Sequence, residues 1–200
     1  MNLSHVFVCE HPALDFAATL RARRTTRFDM FPTPDRLDAW YTESGTVDAI
    51  APSQQADLDQ AITLREAIYT LITARRNDHT YEPEALDLLN TTARTPSAVP
   101  QITPDGHRHT IATPQEALST LARQTIQLLT GPDIPLLKEC SNPECTRIYI
   151  DHSRGNRRQW CGMQSCGNKI KAANYRARKK NTQPHPTHNT QQANQQTSFT

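Results

Sequence analysis

Four cysteines constrain this chain more than any other feature of its 200 residues. Cys140 and Cys145 form one C-x4-C pair, Cys161 and Cys166 a second, and fifteen residues separate the pairs. Two close pairs at a medium gap suit a tetrahedral four-thiolate zinc site, because each pair turns two sulfurs toward one point. The alternatives are disulfides or unliganded thiols. The opening stretch, MNLSHVFVCEHPALDF, has neither a basic leader nor a small-residue cleavage site, so a reducing, cytoplasmic setting is expected, which disfavours disulfides. The expectation is one structural Zn2+ with no open coordination position. The fifth cysteine, Cys9, follows the apolar run Val6–Val8 and reads as a buried small hydrophobe.

Charge is concentrated around the same cysteines. Residues 138–180 carry eleven Lys/Arg against three acids, a net +8 in a chain whose total is +2, so the remainder carries −6. A basic module on an acidic body points to a polyanionic partner. The apolar fraction, 36%, falls below the roughly 45–50% of ordinary domains, so part of the chain is expected to stay unpacked. Residues 181–200, rich in Gln, Asn and Thr and without Lys, Arg, Asp or Glu, read as a disordered polar tail. No stretch approaches the roughly 18 apolar residues of a membrane span, so no membrane partner is expected. The glycines make no GxGxxG. Gly162 and Gly167 have P-loop spacing, but Asn168-Lys169 follows them. With no HExxH, GxSxG or paired-carboxylate pattern either, an enzyme is not expected.

Between the cysteine pairs, Arg147–Asp151 reads as a strand, Ser153–Asn156 as a turn and Arg157–Trp160 as a return strand. From Gly167 to Lys180 the composition favours a helix. Its Ile170, Ala173 and Ala177 share a side expected to pack on Trp160, while Lys169 with Arg176, and Lys171 with Arg178, form basic stripes. Knuckle, hairpin and helix together make a treble-clef-like module. About forty residues bury too little to fold alone, and zinc, which contributes roughly 10–16 kcal/mol in zinc-finger peptides, would offset that deficit.

The rest reads as a mainly α domain with one small β-hairpin (α+β) over residues 1–135, ahead of the finger at 136–180. Helices are expected from Pro12 to Arg23, from Pro34 to Glu43 behind a Thr33 cap, from a Ser53 cap to Arg76, from Pro83 to Thr92, and from a Thr113/Glu116 capping box to Leu129. Val99–Thr103 and His107–Ala112 flank Pro104-Asp105-Gly106 as a hairpin. Arg65 lies among the apolar positions of the long helix, where an unpaired guanidinium would be costly. It pairs either with an internal carboxylate, Asp15 being one candidate, or, together with Asp15, forms a pocket for a small acidic effector.

Cys140 to Arg178 resembles the CGNR zinc finger, whose motif here reads Cys166-Gly167-Asn168-Lys169. Asp151-x-Ser153-Arg154, Arg157-Arg158-x-Trp160-Cys161, Lys171, Arg176 and Arg178 take part in the resemblance. Lys169 replaces the family's arginine and so keeps the charge but loses the bidentate fork. Leu14-Asp15-Phe16-x-x-Thr19, with Ala18 where asparagine is usual, and Leu64-Arg65-Glu66-Ala67 resemble the stress-induced transcription regulator (ABATE-type) domain that precedes such fingers. The resemblance implies DNA-binding transcriptional regulation associated with the nucleoid.

On that reading Arg154, Arg157 and Arg158 contact phosphate or a base edge of double-stranded DNA. Asn168, Lys169, Lys171, Arg176 and Arg178 lie along the major groove, and the body senses a ligand, forms a homodimer, or both. The alternative is a small-molecule-binding protein or enzyme in which the finger is an adaptor for protein or RNA.

Overall fold

The computed structural model describes residues 5–181. The expected tail, and the side chains of Lys180 and Asn181, lie outside what is described. Helices α1 (Pro12–Ala17), α2 (Pro34–Glu43), α3 (Gln55–Arg76), α4 (Pro83–Arg94) and α5 (Pro114–Thr130) build the body, and α6 (Asn168–Asn181) ends the finger. The fold is mainly helical with four small strand pairs: β1 (Leu20–Arg21) with β2 (Phe28–Asp29), β3 (Ala49–Ile50) with β6 (Ile111–Ala112), β4 (Gln101–Ile102) with β5 (Arg108–His109), and β7 (Leu137–Glu139) with β8 (Ile148–Ile150).

Helix α3 is central, with α1, α2, α4 and α5 packed around it. Leu58, Ala61, Leu64, Ile68, Leu71 and Ile72 recur at helical spacing and are all buried. The α5 capping box forms as its sequence predicts, with the Thr113 and Glu116 side chains each receiving the other's backbone amide. At one end of the core Phe16, Phe31, Trp40 and Tyr41 interlock, with Phe16 and Trp40 centroids 5.0 Å apart.

Several elements differ from their sequence reading. The first helix stops at Ala17 instead of Arg23: the Thr19 hydroxyl donates to Phe16 O, and the chain turns to pair Leu20 with Asp29. Ser53 does not cap α3, because its amide and hydroxyl are bound to Asp38; Gln54 caps it, with Asp57 returning the bond. The 99–112 hairpin is shorter than its apolar residues suggest. Only β4 and β5 pair across the Gly106 turn (φ +83°), while β6 leaves to run parallel to β3.

The finger's hairpin also has a different partner. Strand β8 pairs antiparallel with β7, which precedes Cys140, and residues 157–160 form no strand. The cause is Asp151, whose buried carboxylate gathers 152–158 into a closed loop. It accepts from Lys138 Nζ (2.7 Å), the Ser153 amide and hydroxyl (3.0 and 2.5 Å) and the Arg158 amide (3.0 Å). Burial alone would raise the pKa of this carboxyl, but these donors hold it well below the usual range.

The finger shares its core with the body. Leu137, Ile148, Tyr149 and Ile150 belong to the same apolar cluster as Leu14 and Phe16. The Ile150 amide donates to Cys9 O (3.1 Å), and Glu139 binds Arg24 (2.6 Å) and Arg76 (2.9 Å). Cys9 is fully buried, as its apolar neighbours indicate.

Candidate metal centre

Each cysteine pair is set by a different local device. In the first, the Cys145 amide donates to Asn142 O (2.8 Å) and the Glu144 amide to the Asn142 side chain (3.2 Å), which closes the knuckle after β7. In the second, a π-helical turn, Met163–Gly167, returns the Cys166 amide to Gly162 O (3.1 Å) immediately before α6. The Met163 side chain lies over Gly167, and a Cβ there would meet its Sδ at 2.7 Å and displace it.

The four sulfurs lie within 4.8 Å of one another. Cys161 Sγ is 3.8 Å from Cys145 Sγ and 3.7 Å from Cys166 Sγ. A tetrahedral zinc with Zn–S bonds of about 2.3 Å requires an S···S edge of about 3.8 Å, so the donor set and its spacing fit one zinc ion. In the bare cluster, hydrogen bonds from Cys140 and Cys145 draw the Cys166 thiol down to about 6. The same neighbours, aided by Arg147, lower Cys161. Zinc displaces the remaining thiol protons. With all four positions filled by protein the ion is structural, holding the knuckle to the turn that starts α6.

Sequence reading missed two residues that support the sulfurs. Buried Arg147 points Nη1 at Cys161 Sγ (3.7 Å), and the buried Asn142 amide donates to Cys166 Sγ (3.4 Å). Arg147 was hidden inside a strand-like run. Its sequence signal was a lone cation at the head of the apolar run Ile148-Tyr149-Ile150. His152 lies away from the sulfurs, exposed and near Asp133 (3.3 Å).

The expected basic contacts separate into two groups. Arg154, Arg157, Asn168, Lys169, Lys171, Arg176 and Arg178 are exposed, with Lys169 loosely opposite Glu144 at 3.8 Å. Arg158 is not a surface contact. It lies over the Tyr149 ring (4.4 Å to the centroid) and donates to Trp160 O (2.9 Å), Val8 O (2.6 Å), Cys161 O and Glu10 (3.0 Å). It joins the finger to the N-terminal segment through Val8 O and Glu10.

Helix α6 also departs from expectation. Ile170 is half-buried, but Ala173, Ala177 and every other residue from 171 to 179 are exposed. Trp160 packs on the core shared with the body. The helix rests mainly on the π-helical turn before it.

Arg65 is an internal ion pair, and its partner is Asp29 rather than Asp15. Both terminal nitrogens reach Asp29 at 2.7 Å, and Nε reaches Glu66 at 3.0 Å. Asp15 faces the other way and accepts the amides of Val8 and Cys9, each at 3.0 Å. The expected Asp15–Arg65 pocket therefore does not form.

A family described as putative stress-induced transcription regulator, ABATE, matches residues 10–132, and the CGNR zinc finger family matches 137–179. The first match covers more than half of the chain. The chain belongs to the ABATE family. No curated protein matches it. In this ABATE protein the CGNR finger is the zinc module, and no helix among the described residues is long and apolar enough to cross a membrane.

Proposed function

We propose that this ABATE protein is a DNA-binding transcription regulator whose zinc finger presents α6 to double-stranded DNA. The observation that supports this most is α6 itself. It carries Lys169, Lys171, Arg176, Arg178, Lys179 and Lys180 with no acid, and it is exposed on every side from 171 to 179. A strongly basic helix that covers no core gains little from its own chain, and its diameter suits the major groove. Arg154 and Arg157, exposed on the loop pinned by Asp151, add phosphate contacts, and Asn168 at the start of α6 is placed for a base edge. Arg158 takes no part, so the interface is smaller than the sequence suggests.

On this reading the zinc serves binding, because an ion held by four thiolates offers no position to a substrate. On this reading the protein works at the nucleoid, and a dimer would read two half-sites. Exposed Val99 (60%), Ile102 (80%) and Ile111 (64%) on the body supply apolar surface for a homodimer. A small acidic effector has no receptor at Arg65, which Asp29 already occupies. Selection from random duplexes, followed by a salt titration, tests the reading. Five or six phosphate contacts give an affinity falling roughly 10³-fold from 50 to 200 mM salt, and zinc removal abolishes it. A flat salt response, or equal binding after chelation, would reject it.

A further inference from the structure

We propose that Cys145 is the reactive sulfur of the metal centre, a modification site for small, soft carbon electrophiles. A cleft of about 430 Å³ runs between the body and the finger. The β1–β2 turn forms one wall, with Ala22, Thr25 and Thr26, and the finger forms the other, with Cys145, Cys166 and Lys169. Ala22 takes a left-handed conformation (φ +49°), and the Thr25 amide bonds to Ala22 O (2.9 Å), which closes this turn.

The four sulfurs are not equivalent toward this cleft. Cys140, Cys161 and Cys166 are buried, and Cys145 alone is half-exposed. Their donors differ as well. Cys161 faces the Arg147 guanidinium, Cys166 the Asn142 side-chain amide, and Cys140 the Cys161 backbone amide at 3.4 Å. Among the described hydrogen bonds no side-chain N–H reaches Cys145 or Cys140, so donors set these two apart from Cys161 and Cys166, and exposure sets Cys145 apart from Cys140. N–H donors withdraw electron density from a thiolate and block its lone pairs. With zinc bound all four sulfurs are thiolates, so exposure and donors decide which one reacts.

The step needs no oxidant. A Cys145 lone pair forms an S–C bond to the electrophilic carbon, the bond from that carbon to its leaving group breaks, and the leaving group departs with the electron pair. The product thioether is neutral and a poorer ligand, so zinc is released and the knuckle opens. The inference is independent of what the finger binds.

The zinc-loaded full chain is treated with limiting iodoacetamide, stopped below one adduct per chain, and mapped by peptide mass spectrometry while a chromogenic chelator follows zinc. Cys145 should carry about tenfold more adduct than Cys140, Cys161 or Cys166, with zinc appearing in step. A first adduct on Cys166, an even spread over the four, or Cys145 adduct without zinc release would overturn the proposal. Cys145→His keeps a zinc ligand and removes the nucleophile. Iodoacetamide-driven zinc release should then slow about tenfold, and an unchanged rate would count against Cys145. The adduct map of the unaltered chain decides the matter without the variant.

Discussion

Arg65 in the body and Arg158 in the finger are both long cations inside the fold, yet they are satisfied differently. Arg65 is 1% exposed and spends its nitrogens on carboxylates, Asp29 and Glu66. Arg158 spends most of its nitrogens on backbone carbonyls and lies on the Tyr149 ring. The finger's three acids are each committed elsewhere: Glu139 to Arg24 and Arg76 of the body, Asp151 to Lys138, and Glu144 loosely to Lys169. Arg154, Arg157, Lys171 and Arg176 pair with none of these acids among the described ion pairs and stay exposed. The same difference marks how each region is held. The body encloses α3 in apolar side chains, whereas the two cysteine pairs are joined by bonds to their sulfurs and by a backbone bond from the Ser141 amide to Gln159 O (2.9 Å).

The largest test of that contrast is zinc removal. Zinc contributes roughly 10–16 kcal/mol in isolated fingers. After chelation, amides of 140–167 should lose hydrogen-exchange protection while those of α3 and α5 keep theirs. Loss of α3 protection in the same step would show that the shared core makes one cooperative unit, and the contrast would fail.

Next in size is the body's ion pair. Arg65→Ala leaves Asp29 without its partner and should cost about 3–5 kcal/mol in urea unfolding, with zinc content unchanged. Burial works to raise the Asp29 pKa, but the hydrogen bonds from Arg65 and the Phe31 amide bring it below the ordinary value. A lowered native pKa means that the pair's stabilisation is present above about pH 4 and is lost as pH falls through the native value. The urea midpoint of the unaltered protein should therefore drop between pH 4 and 3 more than that of Arg65→Ala. Equal drops would remove the pair from the account.

The two arginine classes of the finger separate next. Arg158→Ala should lower stability by about 2 kcal/mol through its lost carbonyl bonds and ring contact. Arg154→Ala should leave the unfolding midpoint within about 0.5 kcal/mol and reduce the slope of log affinity against log salt by about one. Identical behaviour of the two variants would erase the distinction between staple and contact.

These residues also show what the sequence could disclose. The cysteine spacing, together with the basic residues around it, disclosed the zinc site because its chemistry is local: each pair needs only a turn. The capping box of α5 and the apolar period of α3 were legible for the same reason. The β8 partner was not, because β7 is three residues long and follows Pro135, and what closes the 152–158 loop is one carboxylate collecting four donors. Arg158 looked like its neighbours Arg154 and Arg157, since its acceptor Val8 O lies 150 positions away in the chain. The Asp29–Arg65 pair was hidden by 36 positions of separation, and Asp15 was the more obvious carboxylate only because it lies in a motif.

The smallest expected effect concerns α6. Its alanines were read as a packing face, and the structure exposes them. Ala177→Gly should then cost about 1 kcal/mol of local helix propensity and nothing in packing. The thermal midpoint should stay where it is while the helical circular-dichroism signal of the free protein falls slightly. If DNA is what α6 covers, the same variant should weaken binding a few-fold, since the partner must then order a less helical segment. A marked fall in the midpoint would mean that Ala177 rests on something in the folded chain, and α6 would no longer be the unengaged element that sets the finger apart from the body.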